Sequence, residues 1–131
     1  GTVMRRLILL LVAAAVLAAG CASTFDFRRE EVFEDTVRAY GRLITWSDFG
    51  TASAYLAPDA ENKTVPKGVR VATYDFKQLV FTQDKMAAVN LIEISYYREN
   101  DMRLKTLMDQ QLWQFNEAKQ TWQLKSGFPP F

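Results

Sequence analysis

Residues 87–98 read AAVNLIEISYYR, and this stretch decides the fold. β-Branched and aromatic side chains dominate it, and the polar segments 83–85 and 99–101 bound it as turns. Such residues suit the pleated, half-buried surface of a sheet, so the stretch predicts a strand over Ala87–Arg98. Because side chains alternate along a strand, Ile92 and Ile94 share one face and Glu93 points to the other.

Three further strands are predicted on either side of this one. Val69–Phe76 begins a β-rich half after Gly68 and continues to Phe81, with a bulge near residues 75–77. Arg103–Phe115 predicts a long strand, and Thr121–Lys125 a short one after a turn at residues 116–120. The apolar tail Gly127–Phe131 is predicted to pack across the end of the sheet.

The N-terminal half has a helical period instead. From Arg28 onward, apolar side chains recur at spacings of three and four, which places them on one face of a helix that weakens near Trp46. Asp26 is a suitable N-cap. Ser47 or Asp48 can cap a second, short helix, which Pro58 ends. The apolar residues of the first helix are Val32, Phe33, Val37, Tyr40, Leu43 and Ile44.

Helices followed by strands joined through short turns predict an α+β fold. The strands form a four-stranded antiparallel sheet with the long and the short helix on one face. Long strands in a small domain must twist, so the sheet is predicted to curve strongly around the long helix.

The first segment of the chain is typical of an export signal. Arg5 and Arg6 precede an uncharged apolar run over residues 7–19, which ends at Gly20 and Cys21. An apolar helix needs about 20 residues to cross a bilayer, so this run is too short to span one. The predicted organisation is a removed signal over residues 1–20, a tether over 21–27 and one domain over 28–131.

Leu17-Ala18-Ala19-Gly20-Cys21 resembles the lipobox of bacterial lipoproteins, with the leucine one position further out than is most usual. The resemblance implies cleavage before Cys21 and lipid attached to this cysteine, which anchors the protein to a membrane. Ala22 stands where an aspartate would resemble an inner-membrane retention signal. The expected location is therefore the cell envelope, at the outer membrane facing the periplasm.

Composition excludes several classes of function. There is no histidine and only one cysteine, so the commonest general base, an intramolecular disulfide and a thiolate metal site are all excluded. Removing Arg5 and Arg6 from the 16 basic residues leaves 14 against 15 acidic ones. This near-neutral balance argues against nucleic acid as a partner. No motif for a cofactor or a metal is present.

The element order and the closing pair LWQF (residues 112–115) and TWQL (residues 121–124) resemble the nuclear-transport-factor-2-like superfamily. That resemblance implies a bent sheet wrapped around a long N-terminal helix, forming a cone with a pocket at its open end. A cystatin-like helix on a sheet is the alternative. The superfamily contains isomerases, dehydratases and non-catalytic domains, so the fold by itself does not choose the function.

Candidate site residues are the polar and aromatic side chains of the strands. The resemblance implies an Asp or His base and a Tyr or Asp donor inside such a pocket. Because the chain has no histidine, Asp109, Glu93 and Tyr96 are the candidates. The polar run Asp109-Gln110-Gln111 must turn at least one side chain inward, either toward a ligand or toward a neighbouring strand. The candidate ligand-binding residues are Gln111, Trp113 and Tyr74.

Two functions follow as hypotheses. The first is a non-catalytic, lipid-anchored domain that binds an envelope protein or a small apolar ligand. The second is a periplasmic isomerase or dehydratase that uses a carboxylate and a tyrosine. Homodimerisation through the sheet is a further possibility for the partner.

Overall fold

The computed structural model describes residues 27–131. The predicted signal over residues 1–20, the lipobox with Cys21, the tether up to residue 26 and the Asp26 cap lie outside these residues. By contacts, the described chain divides into residues 27–33 and a compact unit over residues 34–131. Within the described residues, no helix is both long and apolar enough to cross a membrane.

Two helices open the described chain. α1 covers residues 27–45, and α2 covers Phe49–Ala52, followed by a 3₁₀ turn over Ser53–Tyr55. Asp48 is the N-cap of α2, because its side chain accepts a hydrogen bond from the backbone N–H of Thr51. Ser47 adopts a left-handed conformation with φ 56° between the helices, and its Oγ accepts from the backbone N–H of Val71 at 3.0 Å.

The β-rich half forms one four-stranded antiparallel sheet in the order β1-β2-β3-β4. The α+β class and the four-stranded antiparallel sheet predicted above are therefore confirmed. β3 begins two residues later than predicted, because the preceding turn extends through Met102, which has φ 56°. The strands are β1 Val69–Phe81, β2 Ala87–Arg98, β3 Lys105–Asn116 and β4 Thr121–Leu124.

Two register shifts interrupt β1, between Val71 and Thr73 and between Phe76 and Gln78. The second shift agrees with the bulge predicted near residues 75–77. A bulge bends its strand and increases the local twist. β1 is also an edge strand, since only β2 pairs with it within the sheet.

The sheet has an inner face, which α1 covers, and an outer face. On β2, residues alternate strictly from Ala88 to Tyr96, with the even-numbered side chains buried on the inner face. Tyr40 of α1 contacts Trp113 of β3 edge to face, with ring centroids 5.4 Å apart. Tyr40 and Trp113 are both fully buried, so the core lies between α1 and β3.

The C-terminal tail closes one end of this core, as predicted. Phe128 is buried and its ring contacts that of Phe49. Phe131 contacts Tyr96 with ring centroids 4.9 Å apart. Gly127 has φ 78° and forms a bridge to Asn62, which ties the tail to the loop before β1.

Candidate functional site

A cluster of polar side chains lies on the inner face of the sheet, where apolar residues are the rule. Alternation along β3 turns Asp109, Gln111 and Trp113 inward, and Gln110 and Leu112 outward. Asp109 is 4% exposed and Gln111 is fully buried. Burying polar groups is costly unless they are hydrogen-bonded, so their partners decide what the cluster can do. The polar cluster consists of Tyr40, Tyr74, Asn90, Asp109 and Gln111.

Gln111 is the centre of the polar cluster. Its Nε2 donates to the hydroxyl of Tyr74 at 2.8 Å and to Oδ2 of Asp109 at 3.1 Å. Its Oε1 accepts from the indole Nε1 of Trp113 at 3.1 Å and, at 3.5 Å, from Nδ2 of Asn90. Both ends of this amide are therefore engaged, and its orientation is set by two donors on one side and two acceptors on the other.

α1 reaches the cluster through two adjacent residues. A Cβ added to Gly41 would lie 3.0 Å from the ring of Tyr74, so the glycine allows the helix to approach β1 closely. Tyr40 is fully buried, and its hydroxyl has no hydrogen-bond partner within the described chain. Oδ1 of Asn90 is also buried and unpartnered among the described residues. The cluster thus holds one free donor and one free acceptor.

The buried environment shifts the proton equilibria of the cluster. Burial raises the pKa of Asp109 to about 6, although the hydrogen bond from Gln111 acts in the opposite direction. Burial also raises the pKa of Tyr40, with smaller contributions from the negative charges of Asp109 and Tyr74. The pKa of Tyr74 is raised by burial as well, against the hydrogen bond from Gln111. Both phenols stay protonated at neutral pH, whereas the carboxyl of Asp109 gains or loses its proton close to neutral pH.

Cross-strand pairing connects the cluster to the open edge of the sheet. Leu79 pairs with Asn90, which pairs with Gln111. Directly paired residues share a face, so this row runs along the inner face from the β1 edge to the centre of the sheet. Leu79 is 36% exposed, while the other two are buried.

A second row runs parallel to the first, from Phe76 through Ile92 to Asp109. Phe76 is 61% exposed, whereas Asp109 is buried. Phe76 and Leu79 together form an apolar lip at the β1 edge, with half-buried Tyr74 beside them. The inner face therefore changes from exposed and apolar at the edge to buried and polar inside.

The structure brings together four of the residues singled out in the sequence and leaves two apart. Asp109, Gln111 and Tyr74 belong to the polar cluster, and Trp113 donates a hydrogen bond to Gln111. Glu93 lies on the outer face, where its carboxylate is 3.4 Å from the Nζ of Lys77.

Tyr96 lies on the inner face but contacts the tail through Phe131, at the end of β2 away from the cluster. Tyr96 is therefore not a member of the polar cluster.

Two members of the cluster were missed in the sequence. Asn90 is a polar residue at an inward position of a strand whose other inward residues are apolar, which is a readable signal. Tyr40 was assigned to the apolar face of α1, and nothing in the helical period marks its hydroxyl as functional.

No group of three or more His, Cys, Asp or Glu side chains within residues 27–131 can hold a metal ion. Comparisons with known proteins add no assignment: no protein-family model, curated protein or solved structure matches the chain.

Proposed function

We propose that this chain is a lipid-anchored cell-envelope protein whose domain binds a small, largely apolar ligand without converting it chemically. The observation that carries the binding proposal is the gradient along the inner face, from the apolar lip to the polar cluster. Binding sites for small molecules combine mostly apolar walls with a few well-placed polar groups. The lip supplies the first feature and the cluster supplies the second.

The two unpartnered atoms define the polar part of the ligand. The hydroxyl of Tyr40 can donate a hydrogen bond, and Oδ1 of Asn90 can accept one. A ligand hydroxyl has both complementary functions, because it accepts and donates at the same oxygen. Buried polar groups left unpaired cost free energy, so a ligand that pairs them gains affinity.

Ligand binding is tested with two probes that differ by one hydroxyl, 1-naphthol and naphthalene. The protein is residues 21–131 with Cys21→Ser, labelled with ¹⁵N, and its folding is checked by the dispersion of its NMR spectrum. We expect saturable shifts of the indole N–H of Trp113 and the amide of Gln111. The affinity for 1-naphthol should exceed that for naphthalene about tenfold, because only 1-naphthol has a hydroxyl that can pair with the unpartnered atoms of Tyr40 and Asn90.

Matched variants locate the ligand. Y40F should weaken 1-naphthol and leave naphthalene unchanged. F76E should weaken both probes, because it puts a charge on the apolar lip. T73E is the control, since Thr73 is exposed and pairs with Ser95 on the outer face. Equal losses in F76E and T73E, or shifts that do not saturate, would contradict the proposal.

The lipid anchor rests on the resemblance of residues 17–21 to a lipobox. Intact mass of the protein extracted from bacterial membranes should include acyl chains and exclude residues 1–20. Each buried methylene contributes about 0.8 kcal/mol, so several chains hold the protein firmly. Cys21→Ser should move the protein out of the membrane fraction, and equal retention would contradict the anchor. An outer-membrane location is proposed from the same resemblance, because Ala22 stands where an aspartate would resemble an inner-membrane retention signal.

We propose the cone-shaped nuclear-transport-factor-2-like arrangement for the domain, with the cystatin-like arrangement as the alternative. The contact of α1 with Tyr74 and Trp113, together with the two bulges of β1, supports a sheet that bends around the helix. An experimental structure with a flat sheet would contradict the cone.

An isomerase or dehydratase activity is the second candidate, and the raised pKa of Asp109 favours it. A carboxylate with a pKa of about 6 takes up and releases protons near neutral pH. The matching test is exchange of the α-protons of 2-tetralone with deuterium in heavy water, followed by NMR. Exchange that exceeds the buffer rate and disappears in D109N would favour the enzyme over the binding domain.

A partner surface is proposed on the outer face. Val80, Val89 and Leu112 form an apolar row across β1, β2 and β3, and exposed Met108 lies nearby. This row suits a homodimer through the sheet or an envelope protein. L112E should shift the sedimentation coefficient to that of a monomer if the homodimer forms. If the wild-type protein stays monomeric at high concentration, the homodimer is contradicted and an envelope protein is the remaining proposed partner.

A further inference from the structure

A concave site lies at the end of the sheet where β1 begins and β2 ends. It is a groove of about 250 Å³ between the loop before β1 and the C-terminal tail. Val69 and Arg98 pair directly across β1 and β2 and both line it. Val69 is buried on the inner face, so Arg98 projects toward the same side and lies half-buried there.

Two cations face this groove, Arg98 and Lys67. None of the ion pairs formed within residues 27–131 involves either of them. Two acids that follow Arg98 in the chain are engaged elsewhere, since Glu99 pairs with Arg70 at 3.0 Å and Asp101 with Lys105 at 3.8 Å. The groove therefore carries positive charge that these neighbouring side chains do not neutralise.

The other walls of the groove include apolar residues beside the polar Asn62 and Thr64. Val69, Pro129 and Phe131 contribute to them, and the ring of Phe131 is held in place by its contact with Tyr96. A guanidinium presents a planar fork that matches a carboxylate with two parallel hydrogen bonds. Apolar walls favour a carboxylate that carries an apolar group over a strongly hydrated inorganic anion.

We propose that this groove binds the carboxylate of a small apolar acid, with Arg98 and Lys67 holding the carboxylate and the tail holding its apolar group. The site is separate from the polar cluster and does not depend on the function proposed for it. The same chemistry exists in a free aryl acid and at the C-terminus of a peptide. The probes are chosen to separate these two sources.

The test uses the full ¹⁵N-labelled chain in a non-ionic detergent. The probes are benzoate, N-acetylphenylalanine, N-acetylphenylalaninamide and inorganic phosphate. We expect saturable shifts of the Nε–H of Arg98 and the backbone N–H of Val69 with N-acetylphenylalanine. The amide probe should bind about tenfold more weakly, because it lacks the charge. Comparable binding of benzoate would identify free acids as ligands, and preference for N-acetylphenylalanine would identify peptide termini.

Three variants complete the design. R98Q and K67Q should each weaken N-acetylphenylalanine about tenfold. K119Q is the control, because it removes one positive charge at the turn between β3 and β4, the opposite end of the sheet. Lys67 is exposed in a loop, so K67Q keeps the test valid if R98Q fails to fold. Equal binding of acid and amide, tighter binding of phosphate, or an equal loss in K119Q would each overturn the proposal.

Discussion

Replacing Asp109 with asparagine should stabilise the protein at neutral pH and leave it nearly unchanged in acid. Asparagine has the same shape and can still accept the hydrogen bond from Gln111, but it carries no charge. Burial raises the pKa of Asp109 from 3.8 to about 6, so the folded protein holds this proton more tightly than the unfolded chain does. The stabilisation from that proton is fully present below pH 3.8 and is lost as the pH rises through about 6.

The size of the effect follows from the shift. One pKa unit corresponds to about 1.4 kcal/mol, so the wild-type protein loses about 3 kcal/mol of unfolding free energy over this range. The variant does not titrate at this position. The difference between D109N and wild type should therefore grow from near zero at about pH 4 to about 3 kcal/mol at about pH 7.

Urea unfolding followed by tryptophan fluorescence measures this difference at each pH. Trp113 is fully buried and bonded to Gln111, so its emission reports loss of the cluster. D75N is the control, because Asp75 is exposed on the outer face and its replacement removes the same charge without changing the interior. A difference that does not vary with pH, or one of opposite sign at neutral pH, would refute the burial of an ionisable Asp109.

Three glycine substitutions test the packing around the helix and the tail. G41A should destabilise the protein by about 1 kcal/mol in thermal unfolding, because the added Cβ lies 3.0 Å from the ring of Tyr74. G50A should be neutral or stabilising, because the Cβ added there meets no other part of the fold within 4 Å. Greater stability of G41A than of G50A would contradict the close approach of α1. G127A should cost several-fold more than G41A and release the tail, because its Cβ would overlap the backbone of Asn62 at a φ of 78°. Unchanged thermal unfolding of G127A would show that the tail is not held there.

The composition of the cluster shows how far sequence reasoning reaches. Asp109 and Gln111 were predicted to be a polar interruption of which at least one residue faces inward, and both do. That inference needs only the two-residue period of a strand. The other two members, Tyr40 and Asn90, were not predicted. Strand alternation alone places Asn90 on the inner face, but the hydroxyl of Tyr40 reaches this region only once α1 is placed on the sheet.

Glu93 illustrates the opposite situation. Its position between Ile92 and Ile94 indicated that it points away from them, and it lies on the outer face beside Lys77. Local alternation predicted that Glu93 lies on the face opposite Ile92 and Ile94, but it did not predict which of the two faces α1 covers. The position of Tyr96 could not be predicted from alternation alone, because its ring contacts Phe131, which is distant in the sequence.

Taken alone, the sequence determined the element types, the strand limits to within about two residues and the sides on which strand residues lie. These features depend on short-range periods and turn residues, which neighbouring positions carry. Only the tertiary structure decided that Phe76 and Leu79 stay exposed while Asp109 and Gln111, in the same rows, are buried. The reason is that strand order leaves β1 at an edge and places β3 beneath α1, a choice made by contacts between distant residues.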